Sequence, residues 1–179
     1  MDDSVSCGFD KTVREPQAEN TRFVLLYKRL KKPVFLLALS ILRDYSLAED
    51  VMQQTFLQAM EHAGSFRIGT NEKAWVMSIA HNLALNSLKK RGHEEIGLDN
   101  FLEHEAGAEP DMTGSAEFMR ALSLLDEQER AVVTLKAVCG FRHAQIAKIA
   151  EISVVDSRAK YSRALKKLKK HYLETGFQV

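Results

Sequence analysis

The chain is poor in the residues that build cross-linked or metal-bound folds: its 179 residues include two cysteines, three prolines and one tryptophan. Cys7 and Cys139 stand in no Cys-x-x-Cys or Cys/His spacing, so neither a disulfide framework nor a zinc site is indicated, and a reducing compartment fits. No apolar run approaches the roughly 20 residues that span a bilayer, which argues against membrane insertion. The opening Met1-Asp2-Asp3 is acidic where a secretory leader is basic and then apolar. A cytoplasmic location is the expectation. No segment shows the period of two that a half-buried strand requires. A phosphate-binding glycine loop and a nucleophile motif are missing, and no metal-ligand spacing surrounds His81, Glu94, Glu95 or His104. These four are expected to face solvent, in a protein that is not an enzyme and needs no cofactor or metal.

What is present is charge in blocks. The formal net charge is only +1, yet seven basic residues and no acidic one lie between Arg158 and Lys170. A smaller basic cluster is Lys89-Lys90-Arg91. Between Gly92 and Ala116 the sign reverses, with seven acidic residues and no lysine or arginine. A nucleic-acid partner responds to local charge and not to the sum, so the near-neutral total does not exclude one.

Apolar periodicity predicts helices along the chain. Residues 1–21 are polar, carry Gly8 and Pro16, and read as a loose N-terminal arm. From Phe23 to Leu42 apolar residues recur at helical spacing, in one helix or two depending on how Pro33 is used. A second helix is expected from Ser46, as N-cap, to about Ala63, with Glu49 and Asp50 in its first turn and Gly64 ending it. A third runs from about Glu72 to Lys90, its basic end suited to the negative pole of the helix dipole. Gly92 closes this first unit, residues 22–92. Residues 93–115, acidic and broken by Gly97, Gly107, Pro110 and Gly114, read as a flexible linker. The second unit, residues 116–179, should hold helices at about Ser115–Leu125, Asp126–Val138, His143–Glu151 and Ser153–Leu173. Cys139 is read as a small buried hydrophobe in the helix before Gly140. The fold class is all-α: two small helical domains joined by a flexible acidic linker.

The segment from Gly140 to Ser153 pairs a short helix carrying small Ala147 on its packing face with a tight turn and a serine-capped basic helix. That is the physical recipe of a helix-turn-helix, in which the second helix enters the major groove. Arg158, Lys160, Ser162, Arg163, Lys166 and Lys167 are the candidate contacts, with the lysines and arginines neutralising phosphates. Leu122 to Leu168 resembles the fourth domain of extracytoplasmic-function RNA polymerase sigma factors, in order and spacing. The match runs through Leu124-Leu125-Asp126-Glu127-Gln128-Glu129-Arg130, Gln145-Ile146-Ala147, Ile152-Ser153 and Ser162-Arg163-Ala164-Leu165-Lys166-Lys167-Leu168. The resemblance implies binding to the upstream (−35) promoter element. The sequence departs from the pattern at Glu151, where a turn glycine is usual, and at Val155-Asp156-Ser157, where Ser157 puts a hydroxyl in place of a packed valine.

Ala48 to Ala59 is similar to the helix with which the same family's second domain grips the largest polymerase subunit. Helical geometry places Ala48, Val51, Met52, Thr55, Phe56 and Ala59 on an inward stripe. Glu49, Asp50, Gln53, Gln54 and Leu57 are left on an outer face, the candidate surface for core RNA polymerase. Gln54 stands where a glutamate is more usual. Downstream, Phe66-Arg67, Lys73-Ala74-Trp75-Val76 and Ile79 to Asn86 resemble the family's region that melts and reads the downstream (−10) element. Phe66, Arg67, Lys73, Asn82, Asn86, Lys89 and Lys90 are its candidate contacts, since strand opening needs basic groups for phosphates and surfaces that receive an unstacked base. Trp75 shares helical spacing with Ile79 and Leu83 and is assigned to the core.

By this resemblance the chain binds core RNA polymerase and promoter DNA and helps open the duplex, and an anti-sigma protein is a possible further partner. Its acidic linker would imitate nucleic acid in the polymerase's RNA path. Two alternatives remain at this point. One is a conventional helix-turn-helix regulator with residues 23–91 as a sensor or dimerisation domain. The other is a degenerate sigma-like interaction protein, suggested by Gln54, Glu151 and Ser157.

Overall fold

The computed structural model describes residues 16–63, 71–91 and 120–175, and among these every regular element is helical. The first unit is built from α1 (Pro16–Leu42), α2 (Tyr45–Glu61) and α3 (Glu72–Arg91), each packed on the other two. The second is built from α4 (Glu127–Val133), a π-helical turn (Thr134–Val138), α5 (His143–Ile149) and α6 (Val154–Thr175). Residues 120–123 are also helical.

Among the described residues α1 is already helical at Pro16, inside the expected loose arm. The helix also passes through Pro33 without a break. Leu30, Val34, Leu37 and Ile41, essentially withdrawn from water, flank that proline and hold the element against the core. Each such side chain contributes about 2 kcal/mol by leaving water, enough to offset most of the cost of an interior proline.

Arg43 then adopts a left-handed conformation, φ 55°, and its amide closes on the Leu39 carbonyl at 2.8 Å. The next residue, Asp44, is extended and caps α2, its Oδ1 accepting the Leu47 amide at 3.0 Å. Ser46 is therefore not the N-cap, and Glu49 and Asp50 lie beyond the first turn. The nearer carboxylate after the αL turn takes the role, because an extended residue with a short oxygen side chain must sit directly where the helix starts. α2 ends at Glu61 with His62 as C-cap, while Gly64 lies outside the described residues. α3 is capped by Asn71, whose Oδ1 accepts the Ala74 amide at 3.1 Å.

α4 opens with a capping box. Asp126 Oδ1 accepts the Glu129 amide at 2.8 Å, and Glu129 Oε2 accepts the Asp126 amide at 3.2 Å. The continuation to Val138 is wound as a π turn, with the Cys139 amide on the Thr134 carbonyl at 3.0 Å. Gly140, at φ 72°, stops it, and the Phe141 amide reaches back to the Leu135 carbonyl at 3.0 Å. That six-residue return needs a left-handed residue, which glycine supplies without strain.

The two units share one contiguous buried cluster that runs from Leu26 and Leu37 through Val76 to Val132, Phe141 and Ala164. The acidic linker expected between them lies outside the described residues, as do residues 1–15 of the N-terminal arm. Each unit also caps a helix of the other. Arg130 of α4 donates from Nε to the Ser40 carbonyl at 2.7 Å, and Lys73 of α3 donates to the Cys139 carbonyl at 2.6 Å. Cations there meet the negative poles of helix dipoles.

Candidate nucleic-acid and partner interfaces

The face of α2 turns out as helical geometry predicts. Ala48, Val51, Thr55, Phe56 and Ala59 are buried and Met52 is half-buried. Glu49, Asp50, Gln53, Gln54 and Leu57 are all exposed, Leu57 by 49%. Met60, one turn beyond Phe56, is 50% exposed and extends the apolar patch, a residue that the stripe analysis did not single out. Beneath the patch, Phe56 is fixed by edge-on contacts with Phe23 and Tyr27, at centroid distances of 6.3 and 4.8 Å. The exposed face thus sits on a rigid support. An apolar island ringed by acids and amides is suited to a partner helix with basic and apolar side chains.

On α3, Asn82, Asn86, Lys89 and Lys90 are exposed along one side. Lys73 is not on that open surface: besides its bond to the Cys139 carbonyl, its ammonium lies 5.1 Å from the centre of the Phe141 ring. Trp75 is half-buried against the core, in line with its spacing. Phe66 and Arg67 lie outside the described residues, as do Glu94, Glu95 and His104. His81 corrects an expectation, since it is 5% exposed and not solvent-facing. It sits in the cleft between the units with Leu85, Glu127, Val132 and Ile152. Burial holds its pKa below the ordinary 6.5, outweighing the opposing effects of Asn82, Glu127 and Glu151. Its place three residues before Ala84 on a helix packed from two sides gave no simple amphipathic signal.

In the helix-turn-helix, Ala147 and Ile146 are buried where α5 crosses its neighbours. Ile152 returns its amide to the Ala147 carbonyl at 3.0 Å through Glu151, which is left-handed at φ 53°. Glutamate therefore occupies a conformation that glycine adopts freely. Ser153 caps α6, its Oγ accepting the Asp156 amide at 3.0 Å and donating to the Asp156 carboxylate at 2.6 Å.

The six candidate contacts of α6 divide by direction. Arg158, Ser162 and Lys166 are exposed and follow each other at four-residue intervals on one outer stripe. Arg163 and Lys167 point to α4, where Glu129 is 1% exposed: Lys167 Nζ is 2.6 Å from its Oε2 and Arg163 Nε is 3.7 Å from its Oε1. A buried carboxylate facing two cations is a strong anchor, because either partner removed leaves an uncompensated charge. Lys160 is half-buried. Sequence reasoning missed Glu129 as the anchor, although its three-residue spacing from Asp126 gives the capping box that fixes it. Cys139 is buried as expected, and burial pushes its thiol up to about 11 despite nearby Lys73, so it is an inert hydrophobe and not a nucleophile. Among the described residues no cluster of histidine, cysteine, aspartate or glutamate could hold a metal ion, and no helix is long and apolar enough to cross a membrane.

Comparison with known proteins agrees with this geometry. Residues 26–94 match the family Sigma-70 region 2, and residues 115–168 match Sigma-70, region 4. RNA polymerase sigma factor CarQ of Myxococcus xanthus is 30% identical over 147 residues, 78% of this chain and 82% of that protein. ECF RNA polymerase sigma factor EcfG of Rhodopseudomonas palustris is 29% identical over 134 residues, 73% and 74% of the two chains. The fold is similar to that of the sigma factor RpoE in complex with the anti-sigma factor NepR from Bartonella quintana, with a TM-score of 0.69 at 23% identity over 84% of this chain and 96% of that one. With both regions matched, in order and across nearly all described helices, the chain belongs to the extracytoplasmic-function sigma factors of the sigma-70 family.

Proposed function

We propose that this sigma factor divides its work among three surfaces. As a family member it binds core RNA polymerase, directs it to promoters and is not itself an enzyme. The outer face of α2, with Glu49, Asp50, Gln53, Gln54 and Leu57, grips the polymerase. Asn82, Asn86, Lys89 and Lys90, with Phe66 and Arg67, receive the opened downstream element, while Lys73 is withdrawn from this surface by its bond to the Cys139 carbonyl. Arg158, Ser162 and Lys166 read the upstream element, with Lys160, Arg163 and Lys167 nearer the support. The observation that carries this assignment is the separation of two outward faces, one acidic and apolar on α2, the other basic on α6, in the two units that match region 2 and region 4.

Domain boundaries near 22–92 and 116–179 follow from the same reading, as does a cytoplasmic site of action beside the polymerase. One similar fold was solved in complex with the anti-sigma factor NepR, and another, CnrH, in complex with the cytosolic domain of CnrY. A protein inhibitor of that kind is a partner we assign to this chain as well.

Three sets of alanine substitutions in polymerase reconstituted with the full chain test the assignment. Changes at Asp50 and Leu57 should abolish association with core enzyme. Changes at Asn82 and Asn86 should impair transcription from duplex promoters and be rescued on a pre-melted template. Changes at Arg158, Ser162 and Lys166 should erase preference for the upstream element. A common defect in all three sets at one step would overturn the division.

A further inference from the structure

A promoter-reading helix discriminates bases only if its rotation about its own axis is fixed, because hydrogen bonds to base edges are directional. Toward the C-terminal half of α6 the Glu129 ion pairs give that hold. The N-terminal half, which carries Arg158, has a different one. Ser157 is completely buried, its amide is spent on the Ser153 carbonyl at 3.0 Å, and its Oγ lies 2.9 Å from Nδ1 of His143. His143 is the first residue of α5, and its ring also meets the edge of Tyr161, with centroids 5.6 Å apart and planes at 66°. Ser157 and Tyr161 are one turn apart on α6, so a single imidazole spans that turn from the neighbouring helix.

We propose that His143 and Ser157 are a positioning pair, whose hydrogen bond sets the pose of the N-terminal half of α6 for reading the upstream promoter element. This rests on the assignment of α6 as the promoter-reading helix. A methyl group at the Ser157 position would fill the same space, but dispersion contacts tolerate a small rotation that a directed hydrogen bond resists. The rotation matters at Arg158, the next residue, which is exposed about 100° further around the helix. Burial comes first, then the positive charges of Lys136 and Arg158, and all three lower the pKa of the ring. Neither residue need touch DNA; both act through the placement of Arg158 and Ser162.

The test uses core polymerase reconstituted with the full chain, transcribing from one promoter and from the same promoter with its upstream element scrambled. Wild-type protein must first prefer the intact promoter; if it shows no preference, the assignment of α6 fails and not the pair. Given that preference, His143→Ala and Ser157→Ala should each reduce it by about tenfold, the loss of one directed hydrogen bond. The double variant should fall no further than the worse single one, because both remove the same bond. His143→Asn, which restores a polar atom near the position of Nδ1, should recover most of the preference. Equal losses on both templates would mean a merely structural contact and would overturn the proposal. So would an unchanged preference or additive losses in the double variant. Should His143→Ala not fold, the Ser157→Ala and His143→Asn arms give the same decision.

Discussion

The guanidinium of Arg130 donates to the carbonyl of Ser40, 90 positions earlier, at 2.7 Å, and from Nη1 to the Leu125 carbonyl at the same distance. One side chain thereby satisfies the end of α1 and the entry to α4, and ties the unit that matches region 4 to the one that matches region 2. Arg130→Gln should lower the unfolding free energy by about 2 kcal/mol, since hydrogen bonds from a charged donor are each worth about 1.5–3 kcal/mol. Denaturant titration checks this. Solution scattering should also show a larger radius of gyration for Arg130→Gln combined with Lys73→Met, as both ties between the units are then cut.

Glu129 divides the basic residues of α6 into anchors and outward-facing candidates. Lys166→Ala, on the outer stripe, should leave stability unchanged and reduce the salt dependence of promoter binding by about one phosphate contact. Lys167→Ala should instead lower stability by about 2 kcal/mol by exposing the buried carboxylate to an incomplete partner set. Thermal melting and binding titrations in rising salt separate the two. Equal salt effects from both lysines would dissolve the distinction.

At Glu151 the backbone is left-handed, a conformation that costs a non-glycine residue about 1 kcal/mol. Glu151→Gly should therefore stabilise the chain by a fraction of that amount, the remainder being lost to the greater entropy of glycine in the unfolded state. Glu151→Ala keeps the strain and should give no gain. Comparing the two by denaturant midpoint isolates the backbone effect from the loss of the carboxylate.

The buried His81 makes stability depend on pH. Its folded pKa lies below the ordinary 6.5, so the unfolded chain takes up the proton first as pH falls. The stabilisation is complete above pH 6.5 and is lost as the pH drops toward the folded pKa. His143 pulls in the same direction. His81→Leu should flatten the stability profile on the acid side. A profile of unchanged steepness in His81→Leu would place the proton uptake elsewhere.

Much of this was legible in the sequence, and the exceptions share a physical cause. The inward stripe of α2 followed from period alone, because its packing is one-sided: Ala48, Val51, Thr55, Phe56 and Ala59 face the core and Glu49, Asp50, Gln53, Gln54 and Leu57 face solvent. α3 is packed from two sides, so His81 looked exposed when it is enclosed. Pro16, assigned to a loose arm, and Ser46, assigned as an N-cap, were misread for a local reason. Proline is tolerated in the first turn of a helix as well as in a loose arm, and the choice of N-cap depends on the αL turn at Arg43, which no periodicity reports. The pairings Arg130–Ser40, Glu129–Lys167 and His143–Ser157 join residues far apart in the chain, and only the packing of helices brings them together.

The most direct measurement is promoter-specific transcription by sigma-free core RNA polymerase given this purified chain and a pool of genomic promoter fragments. Discrete transcripts should arise, and Asp50→Ala combined with Leu57→Ala should abolish them while leaving the helical fold intact. Core enzyme that binds the chain yet starts at no promoter, or a chain that does not bind core enzyme at all, would contradict the account.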